Sequence, residues 1–205
     1  MALLTSSLAN CRRRSLLRAL AAAWLGCVVA AALPGRAAPA PSATESEVKA
    51  DYLFLFTKYV EWPQAALAAT NQPIMVGVIG DDAVADALER RVKGRLTQGG
   101  RPVAVRRARL PADLAECHVI FVGQGERRNV REITEAVRGK PILTVCDADG
   151  LFTQGFMIKF GLVEGSVRFE VRLEPVERAG LSIHSGMLGS AKKVWPKASS
   201  SSAPP

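Results

Sequence analysis

The residues best placed by type and spacing to do chemistry are two sets of carboxylates, Asp81-Asp82 and Asp147-Ala148-Asp149. Paired acids can share a proton as general acid and base, or hold a hard cation between oxygens. Each set follows an apolar run that reads as a strand, at the carboxyl edge where α/β sheets place ligands. The same residues also cap helices and make turns, and Asp149-Gly150 is a turn signal. Gly123-Gln124-Gly125 follows a strand and opens a helix, as a dinucleotide-binding turn does, but Arg128 stands where the third glycine should allow close helix packing. His118, His184, Cys117 and Cys146 number enough for a zinc site, without the C-x₂-C or H-x₃-H spacing such sites use. His118 flanks an apolar strand and reads as a structural histidine. No Ser-His-Asp, HExxH or P-loop pattern is present. Lys93, Arg95, Arg101, Arg106, Arg107 and Arg109 form a basic stretch, either a solvated loop and edge strand or a surface for an acidic partner.

The elements that must position these groups can be read from periodicity. Residues 47–62 carry Val48, Tyr52, Leu55, Phe56 and Tyr59 on one stripe, which predicts an amphipathic helix ended by Pro63. Phe54 falls on the polar flank of that helix, where an aromatic ring is a candidate partner anchor. Residues 73–79, 103–105, 119–122 and 142–145 read as buried strands, and 83–92 and 126–137 as helices between them. Strand, helix and strand at this spacing predict right-handed parallel crossovers. Glu164-Gly165 separates two alternating runs and predicts an antiparallel hairpin. Met187, Leu188, Ala191, Val194 and Trp195 make a closing helical stripe, where Met187 and Leu188 beside Lys192 and Lys193 offer an apolar patch rimmed with charge. The expectation is one α/β domain over 47–195, with a mixed, mostly parallel sheet, helices on both faces and a C-terminal antiparallel hairpin.

Charge and composition bound what such a domain does. The 205 residues carry a formal charge of +8, but residues 1–40 hold five arginines and no acid. Without that segment 22 basic groups face 19 acidic ones, which excludes a chain that coats nucleic acid. Arg12-Arg13-Arg14, an apolar stretch from Ala19 to Leu33 and small residues around Ala38 and Ala40 have the order of an export signal, and Arg13-Arg14 fits a twin-arginine type. The apolar stretch is shorter than the ~20 residues a spanning helix needs. The sequence therefore predicts a signal peptide over 1–40, a linker over 41–46 and a disordered tail over 196–205. The mature chain would be periplasmic and would not span the membrane. Cys117 and Cys146 remain in it, placed at opposite ends of neighbouring strands. That separation is too great for the ~7 Å limit of a bridge, so two free thiols are expected.

The run Lys49-Ala50-Asp51-Tyr52-Leu53, continued by Phe56-Thr57-Lys58-Tyr59-Val60-Glu61-Trp62-Pro63, resembles the opening signature of the YfiR-like periplasmic proteins. Gly80-Asp81, Cys117-His118-Val119-Ile120-Phe121-Val122, Leu143-Thr144-Val145-Cys146-Asp147, Gly155-Phe156-Met157-Ile158 and Ala179-Gly180-Leu181 resemble later segments of that family in the same order. Departures are Phe156, Arg172 and the closing residues His184, Gly186, Gly189 and Ser190. The resemblance implies a regulator, not an enzyme, working without a cofactor. Its best-known member restrains an inner-membrane diguanylate cyclase through that enzyme's periplasmic region. The partner implied here is thus an inner-membrane signalling protein, and a homodimer is also open to the chain. The alternative is a periplasmic small-molecule binder or enzyme using Asp81, Asp82, Asp147 and Asp149.

Overall fold

The computed structural model describes residues 43–67 and 72–196. The expected leader, the first residues of the expected linker and the tail from 197 lie outside the described residues. Among those described, no helix is long and apolar enough to cross a membrane.

The first helix, α1, spans Glu45–Tyr59. Thr44 caps it: its side chain accepts from the Glu47 amide while the Glu47 carboxylate accepts from the Thr44 amide, a reciprocal capping box. The helix ends before Pro63, because Val60–Glu61 leaves it as a short strand, β1, paired antiparallel with β8, Ser182–Ile183. The buried side of α1 is Lys49, Ala50, Leu53, Phe54, Phe56 and Thr57. Of the expected stripe, Phe56 is buried while Val48, Tyr52, Leu55 and Tyr59 are only half-buried, so the helix is turned by about one position from its apparent amphipathic face.

The remaining strands form one seven-stranded sheet: β2 Ile74–Ile79, β3 Val103–Arg107, β4 Val119–Val122, β5 Leu143–Cys146, β6 Ile158–Val163, β7 Ser166–Arg172 and β9 Lys193–Trp195. Their order is β3-β2-β4-β5-β6-β7-β9, parallel from β3 to β6. The β6–β7 pair is antiparallel, and β9 runs parallel to β7. Counted from β2, the parallel part has the doubly wound order 2-1-3-4-5, with its switch point between β2 and β4. Glu164 and Gly165 both have positive φ, 50° and 74°, the two-residue turn whose twist suits a hairpin.

Alternation along the strands gives the sheet two apolar faces. Val76, Val78, Phe121, Val145, Phe160 and Phe169 face α1 and α2, Asp82–Val92. Ile79, Ile120, Val122 and Cys146 face α3, Val130–Val137, and α4, Asp149–Thr153. The mixed α/β fold with helices on both faces and a late hairpin is the one the sequence predicts. The closing stripe is not one helix. After α5, Leu173–Arg178, and β8, helix α6 covers only Ser185–Ser190, and residues 193–195 turn into the edge strand β9. Two glycines, Gly186 and Gly189, weaken the helix, and the Lys192 amide donates to the Phe169 carbonyl, starting a sheet ladder instead.

Cys117 and Cys146 are both free and buried. Val122 is in register with Cys146, so Cys117 lies at the other end of β4. Cys146 is fully buried in the core, and that burial pushes its thiol up to about 12.

Candidate functional site

At the switch point the loops after β2 and β4 close on each other. Gly80 has φ 77° and turns the chain out of β2, while Gly123 follows β4 in extended backbone at φ −71°. A Cβ on Gly123 would sit 2.4 Å from the Gly80 carbonyl oxygen, so the two loops meet backbone to backbone. The Glu126 side chain covers Gly80 from the other side. The Gly123-Gln124-Gly125 turn therefore closes the place where a dinucleotide would enter. Asp81 is the N-cap of α2 and accepts from the Val84 amide at 3.0 Å. Asp82 is exposed in the first turn of that helix.

One strand further along, the carboxyl edge is built from ion pairs. Lys49, from the buried side of α1, donates to Asp147 at 2.6 Å and contacts Glu45 at 2.5 Å. The lysine and aspartate side chains are only 5% and 10% exposed, so this pair is removed from water. Burial pulls the Lys49 pKa down, but its hydrogen bonds to Asp147 and Glu45 outweigh that and hold it above the usual lysine value. Burial pushes the Asp147 carboxyl up, against the pull of Lys49. Lys159 on β6 makes a second bridge, to Asp149 at 2.7 Å and Glu170 at 3.8 Å. The hydrogen bond from Lys159 lowers the Asp149 pKa. Each acid at β5 thus has a lysine of its own, and the two acids do not converge on one point. Among the described residues no three of His, Cys, Asp and Glu are placed to hold a metal ion.

Beside these bridges lies a cleft of about 380 Å³. It is lined by Asp147, Ala148 and Asp149 just past β5, and by β6 where it runs past its neighbour. β5 pairs only Ile158 and Lys159 of β6, and 160–163 continue beyond it. Arg127, Arg168 and Lys192 complete the rim. A second groove, of about 440 Å³, lies between α1 and α6 and is lined by Tyr52, Leu55, Tyr59 and Met187 among others.

The expected partner residues are placed differently from their sequence reading. Phe54 is 1% exposed and is not a surface anchor. It is buried because α2 packs on that flank of α1, and Lys58, Arg91 and Arg95 lie over its ring at 4.7, 5.7 and 5.9 Å from the centroid. Met187 is also buried, pointing into the core from α6. Leu188 is half-buried, and Lys192 is exposed on the cleft rim. Half of the basic stretch is held by acids or carbonyls: Arg107 bridges Asp86 and Glu89, Arg106 pairs with Glu116, and Arg101 donates to the Leu67 and Gln72 carbonyls.

His118 is a structural residue. Its Nδ1 accepts from the Met75 amide at 3.0 Å and its Nε2 lies 3.3 Å from the Ala66 carbonyl, which fixes a neutral ring. Trp62 donates to the His118 carbonyl and packs edge-on to the ring. Burial lowers its pKa below the ordinary 6.5. A base depressed in the fold binds its proton more readily in the unfolded chain. Its contribution is therefore complete above 6.5 and is lost as pH falls through 6.5 toward the folded value. Urea midpoints measured from pH 7.5 to 5 should fall, and His118→Phe should flatten that slope. His184 caps α6 and is exposed, so an unchanged slope in the variant would remove His118 from this role.

The chain is a doubly wound α/β domain with a polar cleft beside the internal ion pairs at its sheet edge. The chain belongs to the YfiR/HmsC-like family, whose pattern matches residues 46–192. That family is periplasmic and regulatory. Among solved structures, the chain is similar to the ABC domain in complex with L-Trp from Streptococcus pneumonia, at 8% identity and a TM-score of 0.47 over 73% of this chain and 60% of that one. It is also similar to a conserved domain protein from Vibrio cholerae, at 14% identity and a TM-score of 0.46 over 74% and 60%. The chain spans 60% of the length of both structures.

Proposed function

We propose that this chain is an exported binding protein that holds a membrane signalling protein, a diguanylate cyclase, inactive through that protein's periplasmic region. Family membership supports the regulatory class. The observation that carries binding over catalysis is the fate of the four candidate acids. Asp81 caps a helix, Asp147 and Asp149 are each held by a lysine, and Asp82 stands apart in solvent. A general acid or base needs a carboxyl that can exchange its proton with substrate. The small-molecule reading keeps one observation in its favour, the cleft at the carboxyl edge.

Deleting the gene should raise cyclic di-GMP and surface attachment, and a wild-type copy should reverse both. Crosslinking in whole cells should join the protein to an inner-membrane partner. Unchanged cyclic di-GMP with no membrane protein crosslinked would overturn this reading and leave the small-molecule one.

A further inference from the structure

The outer edges of the sheet are protected and an inner one is not. β3 carries Arg106 and Arg107, and β9 is three residues long and begins with Lys193. Charge and shortness are how proteins keep a strand edge from pairing with another chain. The run 160–163 of β6 has neither defence. It extends four residues past the last pairing with β5, roughly 13 Å of strand. Its sequence there is Phe160-Gly161-Leu162-Val163, without charge or proline. A Cβ on Gly161 would meet nothing within 4 Å, and Leu162 is 59% exposed. All four residues line the cleft, so the side of β6 that β5 leaves uncovered faces open space.

The charges around this gap are unequal in kind. Glu45 and Asp147 share Lys49, and Asp149 and Glu170 share Lys159. Arg127, Arg168 and Lys192 line the same cleft and form no salt bridge among the described residues; Arg127 donates to Gln124 and acts on Asp149 only through its field. The acids are thus each held by a lysine, whereas the cleft cations lack a directly bonded carboxylate among the described residues.

We infer that the cleft is a docking site for an extended acidic peptide segment, which adds as a strand in the place β5 vacates beside residues 160–163. Main-chain hydrogen bonds to β6 supply the affinity. Alternate side chains of the segment place carboxylates toward Arg127, Arg168 and Lys192, and the residues between them meet Leu162. This deepens the regulatory reading and rests on it only for the owner of the segment, a periplasmic stretch of the signalling partner.

The test uses the processed protein and an octapeptide of alternating Glu and Val, followed by calorimetry and amide exchange. The acidic peptide should bind about tenfold or more tightly than its Lys-Val counterpart, since like charge at the rim repels the latter. Binding should slow exchange at the amides of 160–163. N-methylation of alternate peptide amides should abolish it, and Arg168→Glu with Lys192→Glu should weaken it by about tenfold, circular dichroism showing the fold intact. Absence of binding, equal binding of the acidic and basic peptides, or indifference to N-methylation would each overturn the proposal. So would displacement by free glutamate or inorganic phosphate at the peptide's own concentration, which would mark an ion site only. Peptide binding without a cyclic di-GMP effect on gene deletion would leave the cleft standing and remove the regulatory reading; the reverse result would do the opposite.

Discussion

Lys49→Ala is expected to destabilise the domain by about 3–5 kcal/mol, the usual cost of removing one partner from a buried ion pair. The substitution leaves the Asp147 carboxylate, whose side chain is 10% exposed, without its counter-charge. Glu45 is 47% exposed and relaxes into water, so Asp147 carries most of the loss. Lys49→Met combined with Asp147→Leu should recover most of it, because a packed apolar pair replaces a buried ionic one at little net cost. Urea midpoints of the three variants decide the matter. A Lys49→Ala variant within about 1 kcal/mol of wild type would show that water reaches the pair as it reaches surface bridges.

Phe54→Ala should cost about 3–5 kcal/mol through the cavity left between α1 and α2. The ring is 1% exposed, and three cationic side chains lie over it with nothing to cover once it is gone. Phe54→Leu should keep a large part of the stability by filling most of the volume. The effect is to be read in thermal and urea unfolding, not in partner binding. A variant that unfolds like wild type yet loses a partner would return Phe54 to the surface role its position on the helix first gives it.

The parallel sheet was legible because each buried strand is a short, near-continuous apolar run bounded by turn residues, as at Val119–Val122. The hairpin was legible because Glu164-Gly165 sits between two alternating runs. The orientation of α1 was not, since the helix is covered by the sheet on one side and by α2 on another. Its apolar residues therefore spread beyond one stripe, and a lysine sits among them. The end of the chain was misread because Met187, Ala191 and Val194 mimic a helical period, whereas backbone pairing with β7 decides residues 193–195. At the site, the acids were visible and their partners were not. Lys49 and Asp147 are 98 positions apart, and nothing in local pattern joins them. The one available sign was that both belong to segments resembling the same family.

The clasp of β1 on β8 joins residues more than a hundred positions apart, and the Tyr59 carbonyl accepts from the His184 amide next to it. The end of α1 is thus held by a strand close to the last described residues. Contacts this distant in sequence are late and slow to form, since the loop they close must be paid for in entropy before any packing is gained. A chain still emerging from the ribosome cannot complete this core until residues 182–195 are available.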